Sequence, residues 1–354
     1  KLCAATGNQL GGKLHAQENG YLDAVAKGIL ARYPKGVADE LILPGLDDVR
    51  AAAERLAGRA HRTPVLTCSA LDSLSGASLF FKCENFQKTG AFKFRGATNA
   101  VELLAESERG VATHSSGNHG AALAAAAKTR GIPAHIVVPE NAAAVKLSAV
   151  EHYGGQVVLC EPTLEARKTI LERVVAETGA FFVPPFDHPH IIAGQGTTVL
   201  ELLEEVDGLD VVIAPVGGGG LVSGTGITIK GLRPEAEVFA AEPEQADDAA
   251  RSFRSGKIEQ ANSNTIADGL LTSLGPLTFQ AIRETVTDVI TVSEAEIVTA
   301  LRMVWERMKI VIEPSSAVPV AAVLKDKRFK GKRVGVILTG GNVDPKGLVK
   351  ILAD

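Results

Sequence analysis

Six residues that read as a buried parallel strand, Val211, Val212, Ile213, Ala214, Pro215 and Val216, run straight into four consecutive glycines, Gly217, Gly218, Gly219 and Gly220, and then into a helix pattern over 221–230. A strand with no polar face belongs inside a parallel sheet covered by helices. Bare glycines let the backbone approach an anion closely, and a helix behind them adds unpaired N–H groups and a favourable dipole. The competing dinucleotide fingerprint needs a G-x-G-x-x-G frame, which is absent, as is the P-loop pattern. A flexible turn is the plain alternative.

The same alternation recurs along the chain. Apolar runs at 79–83, 135–138, 156–159, 211–215, 238–241 and 333–338 predict strands. Helical patterns cover 48–57, 94–104, 119–129, 144–153, 164–178, 197–205, 293–304 and 317–324. This is the signature of a mostly parallel α/β fold. A chain of 354 residues is long enough for two domains, or for one with an inserted lobe. Residues 105–185 form a compact run of such units, a small domain set into a large one made of 41–104 and 186–354; residues 1–40 read as an added helical arm, with its best helix at 20–33.

Composition excludes several classes. A net charge of −4 lacks the basic footprint of a nucleic-acid binder. No apolar stretch approaches the roughly 18 residues of a membrane span, and the first residues lack the apolar region of a signal peptide. Cys3, Cys68, Cys83 and Cys160 are scattered without metal or redox spacing, which points to a reducing, cytoplasmic setting. The chain opens on lysine rather than methionine, so a start further upstream is expected.

Three further segments carry chemistry. Lys93 lies in the run Glu84-Asn85-Phe86-Gln87-Lys88-Thr89-Gly90-Ala91-Phe92-Lys93, flanked by Phe92 and Phe94. Most lysines are solvated, but an apolar setting lowers the pKa toward imine-forming competence. A cofactor with both an aldehyde and a phosphate would use this amine and the tetraglycine together. Thr113-His114-Ser115-Ser116-Gly117-Asn118-His119-Gly120 precedes an Ala-rich helix. Small hydroxyls and free N–H groups there suit a carboxylate, an unliganded serine cap being the alternative. Val336-Ile337-Leu338-Thr339-Gly340-Gly341-Asn342 puts Thr339 at the C-terminal edge of a strand, where open α/β sheets place ligands.

Together these segments resemble the fold-type II pyridoxal-phosphate enzymes, and within them the serine racemase and serine/threonine dehydratase group, which includes 3-hydroxyaspartate dehydratases. The resemblance covers roughly residues 45 to 350 with five motifs in order. It implies two open, twisted, mostly parallel sheets with helices on both faces, pyridoxal 5'-phosphate as cofactor, and a homodimer. It makes Lys93 the imine lysine, Phe92 the residue beside the cofactor ring, and Asn118 the partner of its phenolic oxygen. Gly217, Gly218, Gly219 and Gly220 hold the phosphate and Thr339 meets the pyridine nitrogen. Ser115, Ser116, Gly117, Asn118 and His119 hold substrate, with Arg167 and Thr272 as further contacts. A neutral hydroxyl at the ring nitrogen leaves it largely unprotonated, which favours loss of a β-substituent over transamination.

The implied reaction is β-elimination from a β-hydroxy amino acid such as L-serine or L-threonine, giving a 2-oxo acid and ammonia. Ser116 stands where racemising members carry a second proton-exchanging hydroxyl, so serine racemisation is one alternative and 3-hydroxyaspartate dehydration another. A catalytically silent binding protein is the alternative outside enzymes. The acids after 241 read as a solvated loop by themselves; the resemblance instead implies a Mg²⁺ site (or Ca²⁺ or Mn²⁺) at Glu242, the carbonyl of Ala246, and Asp248. Ala121 replaces a glutamine of the nucleotide-responsive members, which argues against ATP activation, although Tyr153, Arg167 and Asp268 match other members of that network. His188 and His190 flank Pro189 without nearby cysteines, a structural arrangement more than a zinc site. Glu313 is expected to cap the helix after it, or to face the cofactor pocket. No regulatory domain follows Asn342 in this sequence.

Overall fold

The computed structural model of the chain describes residues 42–115, 117–142, 144–261 and 264–353. The expected arm over 1–40 and Ser116 lie outside the described residues. From Leu43 onward the chain forms one compact unit. Along it run α1 (Leu46–Leu56), β1 (Val65–Leu66), α2 (Ser69–Ser75), β2 (Ser78–Cys83), α3 (Lys93–Glu102), β3 (Val111–His114) and α4 (Asn118–Arg130). Next come β4 (Ala134–Pro139), α5 (Ala144–His152), β5 (Gln156–Cys160), α6 (Leu164–Thr178), β6 (Phe181–Phe182) and α7 (Pro189–Glu205). The remainder is β7 (Val211–Pro215), α8 (Gly220–Leu232), β8 (Glu237–Pro243), α9 (Asp248–Ser255), α10 (Pro276–Thr285), β9 (Asp288–Val292), α11 (Glu294–Met303), α12 (Pro314–Lys325), β10 (Arg333–Leu338) and α13 (Pro345–Ala353).

Strands without a polar face sit mid-sheet. All five residues of β7 are buried, and β7 lies inside a six-stranded sheet ordered β1-β2-β10-β7-β8-β9. A second sheet of four strands, β5-β4-β3-β6, draws entirely on residues 111–182. Among the described strand pairs, only β1–β2 is antiparallel. In the larger sheet Val336 lies opposite both Phe81 and Ile213, so the carboxyl ends of β2, β7 and β10 open on one edge.

The six predicted strands form within a residue or two of their expected ends. The helix predicted over 197–205 begins eight residues earlier, at Pro189. Proline suits the first helical position, and His188 Nδ1 accepts the N–H of His190 at 3.2 Å to cap the end. Gly194 does not break this helix because it is a contact point: a Cβ there would lie 2.6 Å from Gly96 Cα, so α3 and α7 meet backbone to backbone. Val111–His114, Asp288–Val292 and the two short strands Val65–Leu66 and Phe181–Phe182 were not among the predicted strands, since none carries a long apolar run.

A dry ion cluster anchors the start of α3. The Arg95 guanidinium donates to both oxygens of Glu84 at 2.8 Å and to those of Glu201 at 2.7 and 2.8 Å. Lys82 Nζ, fully buried, reaches Glu201 at 2.8 Å and donates to Thr63 O at 2.7 Å. Breaking a buried, hydrogen-bonded pair costs about 3–5 kcal/mol, so the first turn of α3, with Lys93 two residues from Arg95, is strongly fixed to β2 and α7.

Candidate cofactor and substrate site

Lys93 opens α3. The segment before it is stitched to the end of β10, where Phe92 N donates to Thr339 O at 2.9 Å and Gly341 N to Gly90 O at 2.9 Å. Lys93 Nζ donates to Pro185 O at 2.8 Å and lies 5.2 Å from the centre of the Phe92 ring. Burial pulls the ammonium down to about 8, against the opposing pull of the Glu313 carboxylate. Such an amine is substantially neutral at mildly alkaline pH.

Glu313 stands at the N-cap of α12 but makes no capping bond with its side chain, which corrects the expectation of a cap. Its carboxylate instead accepts Asn118 Nδ2 at 3.0 and 3.1 Å. Asn118 Oδ1 in turn accepts from Asn342 Nδ2 at 2.9 Å. Thr339 is buried, with its hydroxyl 2.9 Å from Ser316 Oγ. Ser316 Oγ also donates to Gly340 O and accepts from Gly340 N, both at 2.8 Å. The turn after β10 brings Thr339 to Ser316, which lies in the first turn of α12.

The tetraglycine follows β7, and α8 begins at Gly220 without a side-chain cap, leaving its first N–H groups to a ligand. Gly219 has φ of +90°, a left-handed conformation that suits glycine. The loop is also walled in. A Cβ on Gly218 would sit 2.2 Å from the Phe186 ring, and one on Gly219 would sit 2.8 Å from Thr278 Cβ. No sequence signal pointed to Phe186 or Thr278 as walls, because their approach is tertiary.

Ser115 follows β3, and its Oγ accepts Gly117 N at 3.3 Å; α4 starts at Asn118 without a side-chain cap. His119, expected as a substrate contact, turns its side chain inward. It is buried, Nε2 donates to Val183 O at 3.1 Å, and burial pushes its pKa down to about 3. Its backbone N–H is what it can offer a ligand. His114, stacked on Phe182 with ring centres 6.0 Å apart, is lowered to about 4 by burial and by the nearby cations of Arg167 and Lys168. Arg167 Nε is buried without a hydrogen-bond partner. Thr272 is exposed, beyond a short 3-10 turn at Asp268–Leu270.

Glu242 and Asp248 are not a solvated loop; each is 1% exposed. Glu242, within β8, accepts the N–H groups of Ala249 and Ala250 at 2.9 Å and so caps α9. Both oxygens of Asp248 are buried without a well-aligned hydrogen bond, the backbone N–H groups of Asp248 and Leu274 lying nearest, and Ala246 is buried between the two acids in sequence. Burial pushes Glu242 up to about 9 and Asp248 up to about 7. No group of three or more His, Cys, Asp or Glu side chains able to hold a metal occurs among the described residues, so any cation here would lean on backbone oxygen and water.

An α/β chain whose partly neutral lysine shares a strand edge with a prebuilt anion seat has the parts of a pyridoxal-phosphate enzyme. The family model for the pyridoxal-phosphate dependent enzyme matches residues 56–340, and the chain belongs to that family. It is 53% identical over 308 residues to the beta-hydroxyaspartate dehydratase of Paracoccus denitrificans, covering 86% of this chain and 98% of that protein. It is 52% identical over 316 residues to the serine racemase of Dictyostelium discoideum, covering 87% and 97%. The crystal structure of that racemase superposes with a TM-score of 0.82 at 52% identity, covering 85% of this chain and 99% of that one.

Proposed function

We propose that the chain is a pyridoxal-phosphate-dependent lyase that removes water and then ammonia from a 3-hydroxyaspartate, with L-serine and L-threonine as poorer substrates. The observation that carries the choice is Arg167, whose Nε is buried and unpartnered close to His114, the residue before Ser115. A hydroxyaspartate differs from serine by a second carboxylate, and a half-buried arginine with an unpartnered Nε near the carboxylate-binding segment matches it. The similarity to a hydroxyaspartate dehydratase supports the same reading.

Bound pyridoxal phosphate would supply the electron sink for negative charge at the substrate Cα. The N–H groups at Gly217, Gly218, Gly219 and Gly220 hold the phosphate, Asn118 and Thr339 orient the ring, and Phe92 packs beside it. If the ring nitrogen is to accept from Thr339, the Ser316 proton must turn toward Thr339 rather than toward Gly340 O. Ser115, Gly117 and the first N–H groups of α4 hold the α-carboxylate. Lys93, neutral through its lowered pKa, takes the Cα proton. Ser116, the position that carries a second hydroxyl in racemising members, would exchange that proton and add racemisation, the activity that names the Dictyostelium relative.

Asp248, with two buried oxygens lacking a well-aligned hydrogen bond, fits a hard cation; Glu242, the Ala246 carbonyl and Asp248 would hold Mg²⁺ as a structural ion. We also read residues 41–104 with 186–354 and residues 105–185 as two lobes, one for each sheet, and Thr272 as a contact near substrate. A homodimer in a reducing cytoplasm completes the proposal; among the described residues Cys68, Cys83 and Cys160 are free thiols, and no helix is long and apolar enough to cross a membrane.

The test is a panel of L-serine, L-threonine and the hydroxyaspartate isomers, with and without Mg²⁺, scored for 2-oxo acid and for substrate enantiomer. Arg167→Met should lower kcat/KM for the hydroxyaspartate roughly 10- to 100-fold, the value of one charged hydrogen-bonded contact, and change serine turnover less than about threefold. Equal losses on both substrates would remove Arg167 from specificity. Ser116→Ala should suppress racemisation more than elimination. Lys93→Ala should abolish both turnover and the absorbance of the bound cofactor, and a purified wild-type enzyme without that absorbance overturns the proposal.

A further inference from the structure

The connector at 183–188, between β6 and α7, touches each part of the site in turn. Val183 O accepts from His119 Nε2 at 3.1 Å, and Pro185 O accepts from Lys93 Nζ at 2.8 Å. The Phe186 ring fills the space above Gly218, and Phe186 Cα lies 3.1 Å from where a Gly220 Cβ would be. His188 closes the connector by capping α7. Between these stands Asp187, which the mechanism leaves without a task.

The Asp187 side chain reaches the start of α10. That helix starts at Gly275, which has no side chain to cap it, and Asp187 Oδ1 accepts the N–H of Thr278 at 3.0 Å. The Leu277 N–H lies close enough to the same carboxyl to favour its charged form. A Cβ on Gly275 would lie 2.1 Å from Asp187 Cγ, so the bare glycine leaves the space that the carboxyl fills. Burial raises the Asp187 pKa, and these helix N–H bonds oppose the rise.

Thr278 is also the residue against which Gly219 packs, with 2.8 Å between Thr278 Cβ and the place of a Gly219 Cβ. Its carbonyl accepts from Ser223 Oγ, on α8, at 3.4 Å. Phe186 and Thr278 are thus two walls of the tetraglycine, and the Asp187 carboxyl is a direct bond between the segments that carry them. Four glycines have no side chains with which to hold their own shape. Residues outside the loop must do so.

We propose that Asp187 is the positioning residue of the phosphate seat: by capping α10 from the connector, it fixes Phe186 and Thr278 on the two sides of the tetraglycine. The inference rests on the reading of Gly217, Gly218, Gly219 and Gly220 as that seat.

The test compares pyridoxal 5'-phosphate with pyridoxal, which has the same aldehyde and ring but no phosphate. Full-length enzyme is stripped of cofactor, and dissociation constants for both are read from the absorbance of the bound form. Asp187→Ala should cut the preference for the phosphorylated compound roughly tenfold, the effect of a lost helix cap, with pyridoxal binding within about twofold of wild type. Asp187→Asn keeps an acceptor for the helix N–H groups and should retain the preference within about threefold.

An unchanged preference in Asp187→Ala, or equal weakening of both compounds, overturns the proposal, since general loosening does not single out phosphate. Loss in Asp187→Asn as complete as in Asp187→Ala overturns the capping role. If Asp187→Ala does not fold, Asp187→Ser, too short to reach both N–H groups, should lose about threefold of the preference, and no loss there overturns it too. Gly218→Ala separates the two ideas. If it keeps the wild-type preference, the phosphate-seat reading itself fails; if it loses the preference while Asp187→Ala keeps it, only the role of Asp187 fails.

Discussion

The two helix starts that face the site, α8 after the tetraglycine and α4 after Ser115, use the same physics and are built differently. Both leave backbone N–H groups without a side-chain cap. At the tetraglycine, added Cβ atoms at Gly217, Gly218 and Gly219 would meet Leu270, Phe186 and Thr278 at 2.9, 2.2 and 2.8 Å. At Gly117 an added Cβ would meet nothing within 4 Å among the described residues beyond its chain neighbours. One seat is packed shut around its backbone; the other opens on space. A prebuilt seat suits a group that stays bound through many turnovers, and an open one suits a carboxylate that must enter and leave. On the proposed assignment, the packed seat is the cofactor's and the open one the substrate's.

The largest effect should come from the packed seat. Gly219→Ala combines a left-handed φ of +90° with a contact at 2.8 Å to Thr278 Cβ. Strain of about 1–3 kcal/mol at such a position, with the clash added, should weaken pyridoxal 5'-phosphate binding by at least about 100-fold. Absorbance titration measures it, and a Gly219→Ala enzyme that holds cofactor like wild type would break the contrast between the seats.

Lys93 lies beside both seats and gives a pH test. Burial lowers its pKa from 10.5 to about 8, and the sign follows from which form the fold disfavours. Between about 8 and 10.5 the unfolded chain binds more protons at this group than the folded one, so the stability of cofactor-free enzyme contributed by Lys93 rises with pH in that window. Below about 8 the penalty is fully present. Lys93→Met should flatten the rise in urea midpoint over this window. In wild type the rate of capture of pyridoxal 5'-phosphate should climb about tenfold per unit below pH 8 and level off above it, following the free amine. An apparent pKa near 10.5 in that profile would show that the amine is solvated.

Much of this division was legible in the chain. Both seats, the lysine and Thr339 are short local runs at the ends of apolar strands, and the strand pattern implies that their carboxyl ends share an edge. What stayed hidden depends on chain segments that meet only after folding. Phe186 and Thr278 are separated from the glycines in sequence, and nothing local marks either as a wall. The expected start of α7 at 197 left out two interior glycines that are contact points, Gly194 against α3 and Gly196 against α8 and Val49 of α1. The inward turn of His119 is set by the Val183 carbonyl, a partner supplied by the connector after β6. Glu242 and Asp248 read as solvated because a charge run usually is; in the fold they lie on either side of a single 3-10 turn, Glu244–Ala246, at the buried end of β8 and the buried start of α9.

A smaller effect tests how firmly ring orientation is held. Ser316→Ala removes the hydroxyl that contacts Thr339 and both backbone groups of Gly340. Losing a buried neutral partner costs about 1–3 kcal/mol, chiefly from the Gly340 N–H left unsatisfied. The thermal midpoint should therefore fall by a few degrees, about 1–2 °C per kcal/mol for a chain of this size, while the preference for phosphorylated over unphosphorylated cofactor stays at the wild-type value. A change in that preference would mean that the two ends of the cofactor site are not separate.

The smallest effect belongs to the open seat. Gly117 has φ of −118°, accessible to any residue, and the added methyl group of Gly117→Ala meets nothing within 4 Å among the described residues beyond its chain neighbours. Folding and cofactor affinity should stay within about threefold of wild type, as for surface substitutions that touch nothing. The methyl group instead occupies space that a substrate carboxylate would approach, so KM should rise by a few-fold while kcat holds, the pattern of lost uniform binding. The same substitution at Gly219 should remove the cofactor. If Gly117→Ala also released cofactor with KM unchanged, the assignments of the two seats would be reversed.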